Sequence, residues 1–131
     1  MSYTKEQSKK IFVEAEGYIR TLERSLERKS KFNNELLYQM SAMGFEKLFV
    51  ALLAYHEINA NHHTPLALIE EVESLLIVPK EISATAHLIG SYESICSVSG
   101  FGYKMPDDDA LREIIVGLIA CKAFVESYIK S

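Results

Sequence analysis

The amino-acid sequence predicts an all-α protein, an up-and-down helical bundle of four long helices plus one short helix, and three observations carry that expectation. Residues 36–58, reading LLYQMSAMGFEKLFVALLAYHEI, hold two apolar stripes at helical spacing. Leu37, Met40, Gly44, Leu48, Ala51 and Tyr55 make one stripe, and Phe45, Phe49, Leu52 and His56 make the other. A helix of that kind needs cover from at least two sides, so it is expected at the centre of the bundle. At 1.5 Å per residue it would run roughly 35 Å. The second observation is punctuation: Asn33-Asn34, Thr64-Pro65, Val78-Pro79 and Pro106-Asp107 divide the remaining sequence into helix-length pieces. The third is that no stretch makes a defensible strand, and no internal repeat is present. With 131 residues, 48% of them hydrophobic, residues 1–131 read as a single domain able to bury a core without a disulfide or a structural metal.

Each element has its own signals. Thr4 and Gln7 are spaced as a capping box, and Ile11, Ala15, Tyr18, Leu22 and Leu26 mark one face of a first helix ending near Lys29. Its other face is charged, with Glu16 and Arg20, and Glu27 and Lys31, four residues apart. Arg24, Arg28, Lys29 and Lys31 read as a solvated helix end, where cations suit the dipole, with phosphate contact as the alternative. Asn33 or Asn34 caps the central helix, and Glu35 suits its first turn. Gly44, inside that otherwise strong helix, is expected where another helix approaches closely, because a mid-helix glycine costs about 1 kcal/mol against alanine. A polar run ends the central helix between Ile58 and Asn61, and Thr64-Pro65 opens the short helix, Pro65 to Leu76. After Val78-Pro79, a fourth helix turns Ile82, Ala86, Ile89, Glu93 and Cys96 inward, with Thr85 and Tyr92 beside them. SVSGFGYKMP marks its end as the one long loop carrying aromatics, Phe101 and Tyr103. Pro106 or Asp107 starts the last helix, with Asp108 and Asp109 in its first turn and Leu111, Ile115, Leu118, Phe124, Val125 and Ile129 facing inward.

Fourteen basic and eighteen acidic side chains give a net charge of −4, which argues against a basic nucleic-acid-binding face over the whole molecule. Cys96 and Cys121 lie among apolar neighbours and read as reduced core residues, apart from each other. Uncharged runs such as IIVGLIAC are too short to span a bilayer, and no signal peptide opens the chain, so a cytoplasmic address without membrane attachment is expected.

Three stretches, in their order, resemble the HEPN domain, the small helical domain associated with minimal nucleotidyltransferases and prokaryotic toxin-antitoxin pairs. GFEKLFVALLAY resembles the family's "EKALKALL" helix, and His63-Thr64 before PLALIEEVESL resembles its "THDL" helix start, with Pro65 where that pattern has histidine. YKMPDDDALREIIVGLIACKAFVESYI resembles the terminal "RYPD" motif and its alanine-rich helix, with Lys104, Met105, Pro106 and Asp107 at the four motif positions. The resemblance implies a HEPN-like bundle, a homodimer and a partner such as a separately encoded nucleotidyltransferase. Catalytic members of the family resemble one another in an Arg followed after four to six residues by His; none of Arg20, Arg24, Arg28 or Arg112 has a His at that spacing. Lys104 in place of the motif's arginine keeps the charge and removes the planar fork.

The residues offer three chemical candidates. His56, Glu57, His62 and His63 lie close together but lack the helical metal spacing, because Asn59-Ala60 stands where a second histidine would be, so neither a metal nor another cofactor is expected. Lys80 and His87 share a helix face, since seven steps of 100° leave them about 20° apart. A lysine to hold phosphate and an imidazole to move a proton suit RNA cleavage, while the favoured reading of the pair is an ordinary solvated helix face. Lys47 is a charge in the middle of the apolar central helix. Its long stem can reach the surface; placed beside Tyr103 and Lys104 it would instead help bind a phosphate and a base.

These readings combine into one leading expectation, a non-catalytic HEPN-type module binding a nucleotide through Lys47, Tyr103 and Lys104 or binding a partner protein. The alternatives are a metal-independent ribonuclease of a toxin-antitoxin pair using Lys80 and His87 on RNA, and a structural bundle unrelated to HEPN. A homodimer is expected through faces next to the fourth helix and the SVSGFGYKMP loop, with Phe101 and Tyr103 either at that interface or folded back as a lid on their own core.

Overall fold

The computed structural model describes residues 4–27, 33–99 and 105–129, and over 93–99 the backbone alone. Those residues form five helices and no strand: α1 (Lys5–Glu27), α2 (Asn34–Tyr55), α3 (Pro65–Glu73), α4 (Lys80–Ser99) and α5 (Asp108–Ile129). Most helix starts are made by the expected caps. Thr4 and Gln7 exchange bonds of 3.1 Å and 2.8 Å across the capping box, and the Leu36 amide donates to Asn33 Oδ1 at 2.8 Å. Thr64 caps α3 ahead of Pro65, and Asp107 caps α5 by accepting from the Ala110 amide at 2.8 Å. Each bond satisfies an amide that the first helical turn leaves without a partner.

The ends depart from expectation by a few residues. α2 stops at Tyr55, before Ile58, because Glu57 takes a left-handed φ of 62° and closes a Schellman turn. The Ile58 amide reaches back to the Leu53 carbonyl at 2.9 Å and the Glu57 amide to the Ala54 carbonyl at 2.8 Å. Glycine is the usual residue at that position, so a glutamate there leaves no signal in the sequence. α3 ends at Glu73, not Leu76, while α4 continues to Ser99, three residues into the expected loop.

Side-chain bonds set the directions. Ser8 Oγ donates to the Ala51 carbonyl at 2.7 Å, which puts the start of α1 beside the end of α2. Tyr38 Oη donates to the Ile89 carbonyl at 2.7 Å, placing the middle of α4 beside the start of α2, while Thr85, earlier on α4, faces Gly117 at the middle of α5. Asn34 Nδ2 donates to the Pro106 carbonyl and to Asp108 Oδ1, and the His56 and Tyr128 rings meet at 5.9 Å, so α2 and α5 run parallel from start to end. α1, α2, α4 and α5 therefore alternate in direction, and α3 bridges α2 and α4.

α2 touches all four other helices, as its two stripes predict. Leu37, Gly44, Phe45, Leu48, Phe49, Ala51 and Leu52 are buried, and so are Tyr38, Val50, Leu53 and Ala54 on the remaining sides. Taken whole, α2 is long and apolar enough to cross a membrane, although its uncharged runs are short; 61% of its most apolar window is buried against the bundle. α1 differs from the expected register. Its buried stripe is Ser8, Phe12, Ala15, Ile19 and Leu22, whereas Ile11, Tyr18 and Leu26 are only half-buried. α1 packs against both α2 and α5, and a helix covered from two sides buries the stripe between them. Glu16 correspondingly comes within 3.7 Å of Lys122 on α5. On α5, Ile114 and Cys121 join the expected buried face, while Phe124 is half-buried. Cys121 is a free thiol, and burial pushes its pKa up to about 12. The Cys96 side chain, like those of Ser94 and Glu93, lies outside the described residues.

Gly44 is the expected close-approach position. A β-carbon there would sit 3.5 Å from Tyr18 Cβ and 3.8 Å from Ile19 Cγ1, both on α1. Alanine would make ordinary contact, so Gly44→Leu is the informative change: overpacking the α1–α2 crossing should cost about 1–3 kcal/mol and lower the melting temperature, with Gly44→Ala close to wild type. Equal melting of the leucine variant and wild type would contradict a close crossing.

Candidate functional site

A surface groove of about 460 Å³ lies along the seam of α1 and α2, lined by Glu14, Gly17, Tyr18 and Thr21 from α1 and by Met40 and Lys47 from α2. The antiparallel pairing that stacks Tyr18 on Gly44 also sets Glu14 level with Lys47. Lys47 Nζ donates to Glu14 Oε2 at 2.6 Å. Its stem is largely covered while the ammonium reaches the surface, the snorkelling arrangement expected for a lysine in an apolar helix. The bonded Glu14 carboxylate raises the Lys47 pKa above its ordinary 10.5, against the opposing effect of burial, with Tyr18 and Glu46 adding to the rise. The ammonium is thus already compensated. Three steps of three or four residues back along α2, Leu36, Met40 and Met43 continue the same stripe, with Leu36 and Met43 exposed.

Tyr103 and Lys104, the other two residues of the expected nucleotide site, lie outside the described residues, as does Phe101. The described part of the following segment is anchored far from Lys47. Pro106 is held by Asn34 at the start of α2, and Lys47 stands thirteen residues further along, roughly 20 Å at 1.5 Å per residue.

Lys80 and His87 are both exposed on the outward face of α4, with Ala84 and Ser91 between and beyond them. Ile82, Ala86 and Ile89 face inward as expected. Ser83 is drawn off that face to donate to Glu73 at the end of α3, at 2.9 Å.

The histidines near the end of α2 separate. His56 Nδ1 lies 3.0 Å from the Leu52 carbonyl, and its ring packs edge-on against Tyr55 and Tyr128. His63 Nδ1 lies 2.9 Å from Glu46 Oε2, and His62 is exposed. Among the described residues no three of His, Cys, Asp and Glu gather as metal ligands. A second surface hollow, of about 500 Å³, is lined by Asn34, Asp107, Asp108 and Asp109. Asp107 is engaged there as the α5 cap and Asp108 as the Asn34 acceptor, so these carboxylates join two helix starts.

Glu14, Gly17, Tyr18, Thr21 and Met40 are the groove residues that sequence reasoning did not connect with Lys47. The spacing of Leu36, Met40, Met43 and Lys47 along one edge of α2 was a usable signal; the α1 contribution had none, since Glu14 lies thirty-three residues from Lys47. The fold and this seam define an all-helical bundle with a helix-pair groove. No protein-family model, no curated protein and no solved structure matches the chain.

Proposed function

We propose that this chain is a HEPN-type helical module that works by binding a partner protein, with a separately encoded nucleotidyltransferase as the partner class its sequence resemblance implies. The observation that carries the choice of a protein over a nucleotide is the bonded Glu14–Lys47 pair at the end of an apolar stripe. A phosphate at Lys47 would compete with a carboxylate already 2.6 Å from the ammonium. An amphipathic helix asks for something else: an apolar groove with anchors at three- and four-residue steps. Met40 to Lys47 lines roughly 10 Å of such a groove, about two helical turns, and the exposed Leu36 and Met43 extend the apolar stripe beside it. Met40 and Met43 add unbranched, adaptable side chains, which suit contact with an incoming helix.

The test is a titration of the isotope-labelled chain with a small nucleotidyltransferase from the same genome and, separately, with ATP. The expected result is that the protein shifts the amide signals of Gly17, Met40 and Met43, and that Met43→Glu abolishes the response. ATP shifting Tyr18 and Lys47 instead would replace the protein by a nucleotide. No response to either would end the reading.

One observation favours a second reading, a metal-independent ribonuclease: Lys80 and His87 stand exposed on one face of α4, free to meet the same RNA strand. In that case expression arrests growth and His87→Ala relieves the arrest; a benign wild-type chain removes the idea.

A further inference from the structure

We propose that the helix received by the α1–α2 groove is acidic, with carboxylates at both ends of its apolar face. This rests on the reading of the groove as a partner-protein site and states the chemistry of that partner. The groove offers apolar contact on both sides. Met40 lies within it, and Met43 and Leu36, 44% and 39% exposed, run along its α2 side. On the α1 side Val13 is 62% exposed beside Gly17, where a β-carbon would meet no atom within 4 Å. A helix surface left bare at that point lets an incoming helix come toward the short end of the usual separation of about 8–10 Å.

The charges around the groove select the occupant. Glu14 and Lys47 neutralise each other at 2.6 Å, and Glu46, on the outer side of α2, lies 2.9 Å from His63. Lys10 and Arg24 differ: both are exposed, and among the described residues neither is held by a carboxylate. Each stands seven residues from Gly17, so the three share one edge of α1 to within about 20° per step. With Tyr18 on Gly44 and Glu14 level with Lys47, Arg24 comes level with Leu36 at one end of the apolar stripe. Lys10 lies one turn past the Glu14–Lys47 pair at the other end, roughly 21 Å from Arg24 along α1. The carboxylates of α1 point elsewhere. Glu23 and Glu27 stand about 80–120° round the helix from Gly17, Glu16 reaches Lys122 on α5, and Glu6 lies a turn beyond Lys10. The unpaired charge bracketing the groove is therefore positive, on a chain whose net charge is −4. An amphipathic helix with Asp or Glu about fourteen residues apart at the ends of its apolar face complements it, whereas Lys or Arg at those positions meets like charge twice. A nucleic-acid strand fits less well, because the Glu14 carboxylate stands between the two cations.

Two synthetic peptides supply the test: a leucine- and alanine-rich amphipathic helix with glutamates at the ends of its apolar face, and the same helix with lysines at those two positions. Titrated into the isotope-labelled full chain, the glutamate peptide should shift the amide signals of Gly17, Met40 and Met43 and bind about tenfold or more tighter than the lysine peptide. Lys10→Glu with Arg24→Glu should reverse that preference while leaving the helical circular dichroism unchanged, because both positions are exposed. Equal binding of the two peptides at those signals, or a preference that the double variant retains, would overturn the acidic partner and leave the groove a site for helices. Silence from both peptides would also overturn it, the groove itself then being decided by the nucleotidyltransferase titration. Oligouridylate shifting Lys10, Arg20 and Arg24 where the glutamate peptide does not would replace the acidic helix by a nucleic acid.

Discussion

Phe45→Ala is expected to be the most damaging conservative truncation in the protein, costing about 3–5 kcal/mol. Phe45 is fully buried on α2, and its ring lies 4.5 Å from that of Phe49, tilted by 37°. Truncation removes the transfer free energy of the ring and leaves a cavity whose cost depends on how far the surroundings can collapse. Here they are held apart, because α2 is packed against all four other helices and no single helix can move in without opening another contact. Against the roughly 5–15 kcal/mol of a whole domain, such a loss removes a large part of the margin. Thermal melting followed by far-ultraviolet circular dichroism should show a midpoint lowered by about 10 °C or more. Ile77→Ala is the control, because Ile77 is 93% exposed, and it should change the melt little. A Phe45→Ala melt close to wild type would mean that the centre of the bundle is not where α2 crosses its neighbours.

Gly117→Ala is the second large effect, and it comes from one added methyl group. A β-carbon at Gly117 on α5 would collide with Thr85 Oγ1 on α4 and lie 2.9 Å from Thr85 Cγ2. Thr85 cannot easily turn away: it is β-branched, and its hydroxyl donates to the Glu81 carbonyl at 2.9 Å. The helices must then separate or the threonine must leave its rotamer, and overpacking of this kind costs about 1–3 kcal/mol, more than offsetting the gain in helix propensity. The cycle with Thr85→Ala isolates the clash. The double variant should be more stable than the sum of the two single changes predicts, by about 1 kcal/mol or more, since the second substitution removes the atoms that the first one strikes. Additive effects in urea unfolding would show that α4 and α5 are not in close contact at this point. Gly17→Ala supplies the contrast, because a β-carbon there meets no atom within 4 Å; it should stabilise α1 by up to about 1 kcal/mol.

The glycines also show how much was legible beforehand. Gly44 was singled out because it interrupts an otherwise strong apolar helix, and α1 does approach there. Gly117 and Gly90 are tighter, the latter with Leu66 Cγ 2.9 Å from a β-carbon, yet neither stands out along the chain. A glycine's position is written in the sequence, while the side chain facing it belongs to another helix. Lys47 follows the same rule. Its oddity within α2 was visible; Glu14, which explains it, was not, and neither was the seam that both residues line.

The sequence by itself determined the helical class, the order of the five helices, the centrality of α2 and the caps at Thr4 and Thr64, and it narrowed the α2 cap to Asn33 or Asn34 and the α5 start to Pro106 or Asp107. Those features rest on periodicity within one helix or on hydrogen bonds spanning three residues, so they need no knowledge of neighbours. Only the tertiary structure decided which of two adjacent stripes α1 buries, that Glu57 ends α2 in a left-handed turn, that Asn34 ties the starts of α2 and α5, and that α5 keeps an apolar face outward. Each of these depends on where a second helix lies, and small rotations about a helix axis exchange neighbouring stripes at little cost in local propensity. The choice is made by the area buried against all the packed neighbours together.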